Sequence, residues 1–282
     1  MRAALGLFAA ALLAALAGCA RGEAELVGAL PLPTLPGGYS GIELAADGAE
    51  VVLLSDRGLI VRGVLERQGG RPTGFTETSR QRITGADGAP LPQRQRDSEG
   101  LAMAGDGTLF LSFEGRGRVV RFDGALTELP APPPQPNALL NESYEALALD
   151  AAGQLYTLPE RTGNGTEDWT LLRLDGAAWA AAFPIPRRGA FVPVGADFGP
   201  DGRFYLLERD FTGIAFRSRI RRFEPDGSGE TQVLRTGAGT HGNLEGLSVW
   251  TGPDGALRLT MVSDNNESAL LRGEIVEYRL AD

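Results

Sequence analysis

Ten acidic residues recur along the chain in five pairs: Glu43/Asp56, Glu99/Glu114, Glu145/Glu160, Asp197/Glu208 and Glu245/Asp264. In each pair the first acid opens a short apolar segment and the second closes the next one, with a turn containing Asp or Gly between them. Antiparallel strands place the start of one beside the end of the next, so both acids of a pair fall on the same rim. Five such hairpins set around an axis bring ten carboxylates to one mouth of a central channel. Two unit charges about 5 Å apart at an effective dielectric near 20 repel by roughly 3 kcal/mol, so the ring needs compensation by protons, arginines or metal ions.

Each source of compensation has its residues. Arg57, Arg161 and Arg209 directly follow an acid, and Arg116 follows Glu114 by two. Strand neighbours point to opposite faces, so an adjacent Arg need not pair with its own acid. Calcium takes six to eight oxygens from Asp, Glu, Asn and backbone carbonyls. The run Ser263-Asp264-Asn265-Asn266-Glu267 is dense in such oxygens, and Asp210 and Asn243 add more. A structural role competes for the lead acids, which can accept hydrogen bonds from backbone amides at strand starts and so hold repeats together.

Other chemistry is excluded. There is no Gly-x-Ser-x-Gly elbow, since Gly38-Tyr39-Ser40-Gly41 and Gly246-Leu247-Ser248-Val249-Trp250 both miss it. With His241 as the single histidine, neither a His-based phosphatase nor a His-rich zinc site can be assembled. His241 lies in a small-residue loop and reads as solvated, though its place just before Asn243 and Glu245 leaves a general-acid role open. A formal net charge of -9 argues against a nucleic-acid backbone as partner.

The elements that carry the acids repeat. From Glu43 through Glu99, Glu145 and Asp197 to Glu245 the lead residues are 56, 46, 52 and 48 positions apart. Spacings of this size fit propeller blades of four short strands. Asp47-Gly48, Asp106-Gly107, Asp201-Gly202 and Asp254-Gly255 supply the positive φ that tight hairpin turns require. Further strands are predicted over 118–122, 126–129, 217–223, 231–235 and 274–280. The fifth repeat offers three strands before the chain stops, and 25–30 supplies the fourth by joining the last blade and closing the ring. No long window shows helical periodicity; 177–182 comes nearest and fits an outer strand as well. The reading is an all-β propeller of five blades, with six as the alternative, and closure removes the edges that a repetitive sheet would expose.

The N-terminus is a separate matter. Arg2 precedes an apolar run from Ala3 to Ala17 that ends in Leu16-Ala17-Gly18-Cys19, a secretory signal too short to span a bilayer comfortably. Leu-Ala-Gly-Cys resembles the bacterial lipobox, which makes Cys19 a lipidation site and the new N-terminus. Cys19 is the single cysteine, so no disulfide framework exists. The expected organisation is a lipoprotein signal peptide over 1–18, a lipidated Cys and short tether over 19–24, and one domain over 25–282. Its place is the bacterial cell envelope, anchored by Cys19 and facing the periplasm or attached to the outer membrane. Ala20, where Asp would favour inner-membrane retention, prefers the latter.

Asp97-Ser98-Glu99-Gly100-Leu101, the Glu-Arg steps at 160–161 and 208–209, Asn243-Leu244-Glu245-Gly246 and Ser263-Asp264-Asn265-Asn266 resemble, in order and spacing, the motifs of the bacterial phytase-like domain family, also called the esterase-like-activity-of-phytase family. The resemblance runs from about Gly41 to the C-terminus. Asp197 departs from it by standing where other repeats have Glu, as do Glu145-Ala146, which lacks the Gly, and Glu267, where an aromatic is usual. It implies a secreted propeller related in architecture to calcium-dependent β-propeller phytases. On that reading the chain is a monomeric, calcium-dependent phosphoester hydrolase. The ten paired acids hold Ca²⁺, Glu99 and Glu245 take part in catalysis, and Arg57, Arg116, Arg161 or Arg209 stabilises charge on a small phosphorylated or ester substrate. The alternative is a non-enzymatic cell-envelope propeller that binds a ligand or a protein at its channel mouth.

Overall fold

The computed structural model describes residues 24–32, 38–85, 87–114, 117–134, 144–162, 165–265 and 273–281. Residues 1–18, Cys19, Arg116, Asn266 and Glu267 lie outside them. Strand β1 (Ala24–Pro31) comes first, and with the strands that follow it forms five antiparallel four-stranded sheets. Blade one is β2 (Gly41–Leu44), β3 (Glu50–Ser55), β4 (Leu59–Gln68) and β5 (Arg71–Arg82). Blade two is β6 (Ser98–Met103), β7 (Leu109–Phe113), β8 (Arg118–Phe122) and β9 (Leu126–Glu128). Blade three is β10 (Tyr144–Leu149), β11 (Leu155–Pro159), β12 (Trp169–Asp175) and β13 (Ala178–Ile185). Blade four is β14 (Val192–Phe198), β15 (Phe204–Phe211), β16 (Phe216–Phe223) and β17 (Thr231–Arg235). Blade five is β18 (Asn243–Thr251), β19 (Leu257–Asp264) and β20 (Glu274–Leu280), completed on its outer edge by β1.

The five-bladed ring and its closure by the first strand match the expectation, and the stretch weighed as a helix is the outer strand β13. The inner strands β2, β6, β10, β14 and β18 each touch the next in that order, and β18 returns to β2. Every blade is sandwiched between two others, so its inner strands are apolar on both faces. In β3, Val51 and Leu53 pack against blade five while Val52 and Leu54 pack against blade two. Such strands read as continuous hydrophobic runs because no face meets water. The hairpin turns follow the Asp-Gly prediction. Gly48 and Gly107 have φ of 69° and 86°, and the carboxylates of Asp47 and Asp106 accept from the amides two residues on.

One ionic contact fastens the closure. Arg67 of blade one donates to both oxygens of Glu277 of blade five, at 2.8 and 2.7 Å, and stacks 4.7 Å over Trp250. Glu277 is fully buried and also accepts from Thr260 at 3.0 Å.

Candidate functional site

The inner hairpins carry a repeated irregularity. Gly41 pairs with Leu54, Ala146 with Leu158, Gly195 with Leu207 and Gly246 with Val262. Just before the last three of these, the register slips by one residue, leaving Glu145, Val194 and Glu245 as the extra residues of β-bulges. Blade two slips between Ser98 and Leu101, around Glu99 and Gly100. Bulges re-aim side chains, and these turn the acid before the glycine into the channel. The glycine is needed because inner strands meet there: a Cβ on Gly246 would lie 2.7 Å from Ile42 N, and one on Gly41 2.7 Å from Leu101 Cβ. The Glu-Gly motif thus joins an aimed carboxylate to a closely approached backbone.

The register gives each blade two rim positions. One is the residue before the glycine, or before Ala146 in blade three, which is the bulge residue in every blade but the first; the other is the residue two past the partner of that glycine or alanine. These are Ser40 and Asp56, Glu99 and Glu114, Glu145 and Glu160, Val194 and Arg209, and Glu245 and Asp264. Seven of the ten paired acids therefore share one mouth, and Asp97 joins them. Asp97, Glu99 and Glu114 each bring a carboxylate oxygen within 4.8 Å of the other two. Asp97 is absent from the ligands predicted above. Its signal is the shared spacing of Asp97-x-Glu99 and Asn243-x-Glu245.

The remaining three acids lie elsewhere, contrary to the expectation of a ten-membered rim. Glu43 and Asp197 sit two residues after the glycine, on the far side of the strands' closest approach. They line a cavity of about 580 Å³ at the opposite end, together with Ser248, Met103, Phe198 and Trp250. Between the two ends the void lined by Gly41, Gly100, Gly195 and Gly246 is about 10 Å³, room for a single water at most. Glu208 is one residue short of the rim position and is fully buried. Its oxygens accept from Arg219 at 2.6 and 2.9 Å and from Arg221 at 2.7 and 2.8 Å, a structural network. Alternation along β15 explains the difference, since Glu208 and Arg209 must face opposite ways.

The arginines divide similarly. Arg209 fills blade four's rim position and reaches Glu160 of blade three at 3.2 Å and Asn243 of blade five at 2.8 Å; it also donates to Glu245. Arg57 and Arg161 lie on the mouth's edge with Nε 3.7 Å from Asp56 and Glu160, their own neighbours in sequence. His241 is not solvated: its Nε2 is 2.7 Å from the Tyr278 hydroxyl, its Nδ1 is 3.6 Å from Glu274, and its side chain is 6% exposed. The reason is that its loop folds back against β20, where Tyr278 and Glu274 face the two ring nitrogens.

Burial and mutual repulsion raise the proton affinity of the mouth. Asp56 is pushed up to about 8, by burial first and then by Asp264. Glu114 also rises to about 8, by burial and then by its hydrogen bond with Asp97. Glu99 lies well above the carboxylate range through burial, then Glu145 and Glu245. Burial raises Glu145 as well, with Glu160 adding and Arg209 opposing. Glu245 reaches about 7 because burial outweighs the pull of Arg209. Burial opposes the charge on Arg209, but Glu245, Glu145 and Glu160 overcome it and hold the guanidinium charged. At the other end burial raises Asp197 to about 7 and Glu43 well above its usual range, the latter assisted by Asp197.

The donor set fits a hard cation. All the rim ligands are oxygens, and Asp56 Oδ1 is buried without a hydrogen-bond partner among the described residues. An acidic cluster of this composition is compatible with a bound metal.

The family model for the phytase-like family, described as esterase-like activity of phytase, matches residues 34–267. No curated protein matches the chain in sequence. Among solved structures, a calcium-binding protein, regucalcin, from Agrobacterium tumefaciens is 12% identical, with 91% of this chain and 96% of that one covered at a TM-score of 0.50. The PQQ-bound aldose sugar dehydrogenase of Streptomyces coelicolor is 15% identical over 91% of this chain and 97% of that one, at 0.49. A virginiamycin B lyase from Staphylococcus aureus is 15% identical over 92% and 89%, at 0.43. At 12% identity the likeness to the calcium-binding protein is one of fold alone.

Proposed function

The chain belongs to the phytase-like family described as esterase-like activity of phytase, and on that premise we propose that it is a calcium-dependent hydrolase of small phosphorylated or ester substrates, acting at the acidic mouth. The observation that carries the proposal is the convergence of Asp97, Glu99 and Glu114 within 4.8 Å, on the rim that also receives Arg209. Asp97, Glu99 and Glu114 would hold the ion, with Asp56, whose Oδ1 makes no hydrogen bond among the described residues, beside them in blade one. Bound Ca²⁺ would supply a Lewis acid that polarises the substrate's phosphoryl or carbonyl oxygen.

This chain's residues do the remaining work. Bulges fix the directions of Glu99, Glu145 and Glu245, so little reorganisation is needed when a substrate arrives. Glu245, ionising near 7, accepts or returns a proton in the neutral range. Arg57 and Arg161, 36% and 56% exposed, offer N–H donors to a substrate anion arriving from solvent. The narrow neck below the mouth confines substrate to that side of the propeller. We further propose export, with Cys19 lipidated and the monomer held at the cell envelope; the lipobox-like Leu16-Ala17-Gly18-Cys19 supports this. The test is a phosphomonoester and carboxylic-ester assay run beside a melting curve, each with calcium and with a chelator. Calcium-dependent turnover and a raised melting point are expected, and a protein indifferent to calcium in both would remove the metal reading.

A further inference from the structure

Four of the five blades place a carboxylate at the second rim position: Asp56, Glu114, Glu160 and Asp264. Blade four places Arg209 there and Val194 at the bulge, so it supplies neither of the acids a repeat would bring. Arg209 does not turn outward to solvent, its side chain being 20% exposed. It reaches sideways to Glu160 in blade three and to Glu245 and Asn243 in blade five, spanning both neighbours. A guanidinium bridging carboxylates from two flanking blades occupies the place, and carries the charge, of a cation shared between them. Blade two does not flank blade four in the ring, and there Asp97, Glu99 and Glu114 gather around one another instead.

We infer that Arg209 is a resident cation that stands in for a metal ion on the side of the mouth formed by blades three, four and five, and so sets how many ions the mouth takes. The inference rests on the metal reading proposed above and adds a specificity-determining residue to it. Metal-ion stoichiometry would thus be decided by a side chain that need not ligate a metal. Arg209 is a positioning residue in this role: its charge keeps Glu160 and Glu245 together without a bound ion, and leaves blade two as the side open to one.

Titration calorimetry with Ca²⁺ on chelator-treated full-length protein tests this, comparing wild type with Arg209→Glu, which restores the acid that the other four blades carry. The expected result is one more equivalent of Ca²⁺ bound by Arg209→Glu than by wild type. Arg209→Lys keeps the charge and should bind the wild-type number. If Arg209→Glu does not fold, Arg209→Gln removes the charge alone and should still gain the extra equivalent through Glu145, Glu160 and Glu245, at weaker affinity. A folded Arg209→Glu or Arg209→Gln protein with the wild-type stoichiometry overturns the inference. The wild-type value itself judges the metal reading: zero there removes that reading, while the increment between variants still decides the role of Arg209.

Discussion

Glu245, the bulge residue of blade five, acts across the mouth on Glu99, the bulge residue of the non-adjacent blade two, and its field is among the forces that lift Glu99, after burial and Glu145. Both are acids whose folded pKa lies above the unfolded value, as are Asp56 and Glu114 at about 8. The folded protein therefore binds more protons than the unfolded chain between about pH 4 and pH 8. Stability from these groups is fully present below the unfolded pKa values and is lost as pH rises through the folded ones. Metal-free protein should melt several degrees lower at pH 8 than at pH 5, as 1 kcal/mol moves the midpoint of a domain this size by roughly 2 °C. Calcium competes with protons for the same oxygens, so it should raise the midpoint at pH 8 and hardly at pH 5. Melting curves at the two pH values with and without a chelator measure both effects, and a midpoint that climbs steadily from pH 5 to pH 8 without metal would contradict the assignment.

The two ends of the channel make opposite predictions for the same kind of substitution. Glu99→Gln or Glu114→Gln removes a ligand from the blade-two cluster and should abolish the calcium-induced shift in melting point. Glu43→Gln and Asp197→Asn lie beyond the neck, against Ser248 and Val249, and should leave that shift intact. Asp197 accepts from Val249 N at 2.6 Å in a buried setting, and Asn can keep that bond through its carbonyl oxygen. Equal loss of the calcium response in all four variants would show that the channel ends are not independent.

Much of the ring is legible in the amino-acid sequence. The Asp-Gly turns, the paired apolar runs and the leftover strand over 25–30 suffice for it, because each is a local signal with a local cause. The rim is harder. Glu43 looks like the other lead acids, but it follows Gly41 by two residues where Glu99 precedes Gly100 by one. That shift moves a side chain to the other end of the channel. Sequence spacing counts residues, whereas a bulge adds one without changing the apolar pattern, so the slip at Glu145, Val194 and Glu245 leaves no periodic trace. The Glu208-Arg209 step misleads for the same reason: the acid looks like the member of the series, and the register assigns that place to the arginine.

Ring closure by the β1–β20 pairing is reinforced by a contact between residues 210 positions apart. Arg67 and Glu277 make two hydrogen bonds at 2.8 and 2.7 Å, with Glu277 fully buried beneath them. Arg67→Ala takes both of these hydrogen bonds from a carboxylate left with Arg258, whose Nε is 3.8 Å away, and Thr260, and losing one partner of a buried ion pair costs about 3 kcal/mol. The loss should be felt first where blades one and five meet, with hydrogen exchange in β1 and β20 rising ahead of exchange in β10 and β11. Uniform exchange across all five blades would mean that the ring opens only as a whole.

Glu208 separates a fold-holding acid from the rim acids by a single substitution. Its two oxygens carry four hydrogen bonds from Arg219 and Arg221, whose side chains are 5% and 2% exposed. Arg221 has a second carboxylate in Glu230 at 2.7 Å, but the network still loses its central charge in Glu208→Gln. Removing one partner of a buried ion pair costs about 3–5 kcal/mol because the remaining charge stays buried, and here two guanidinium groups face that loss. The variant should unfold at markedly lower denaturant while any folded fraction keeps the wild-type calcium shift, since neither arginine belongs to the mouth. A Glu208→Gln protein of wild-type stability that no longer responds to calcium would instead return Glu208 to the rim, and denaturant titration in calcium and in chelator distinguishes the two outcomes.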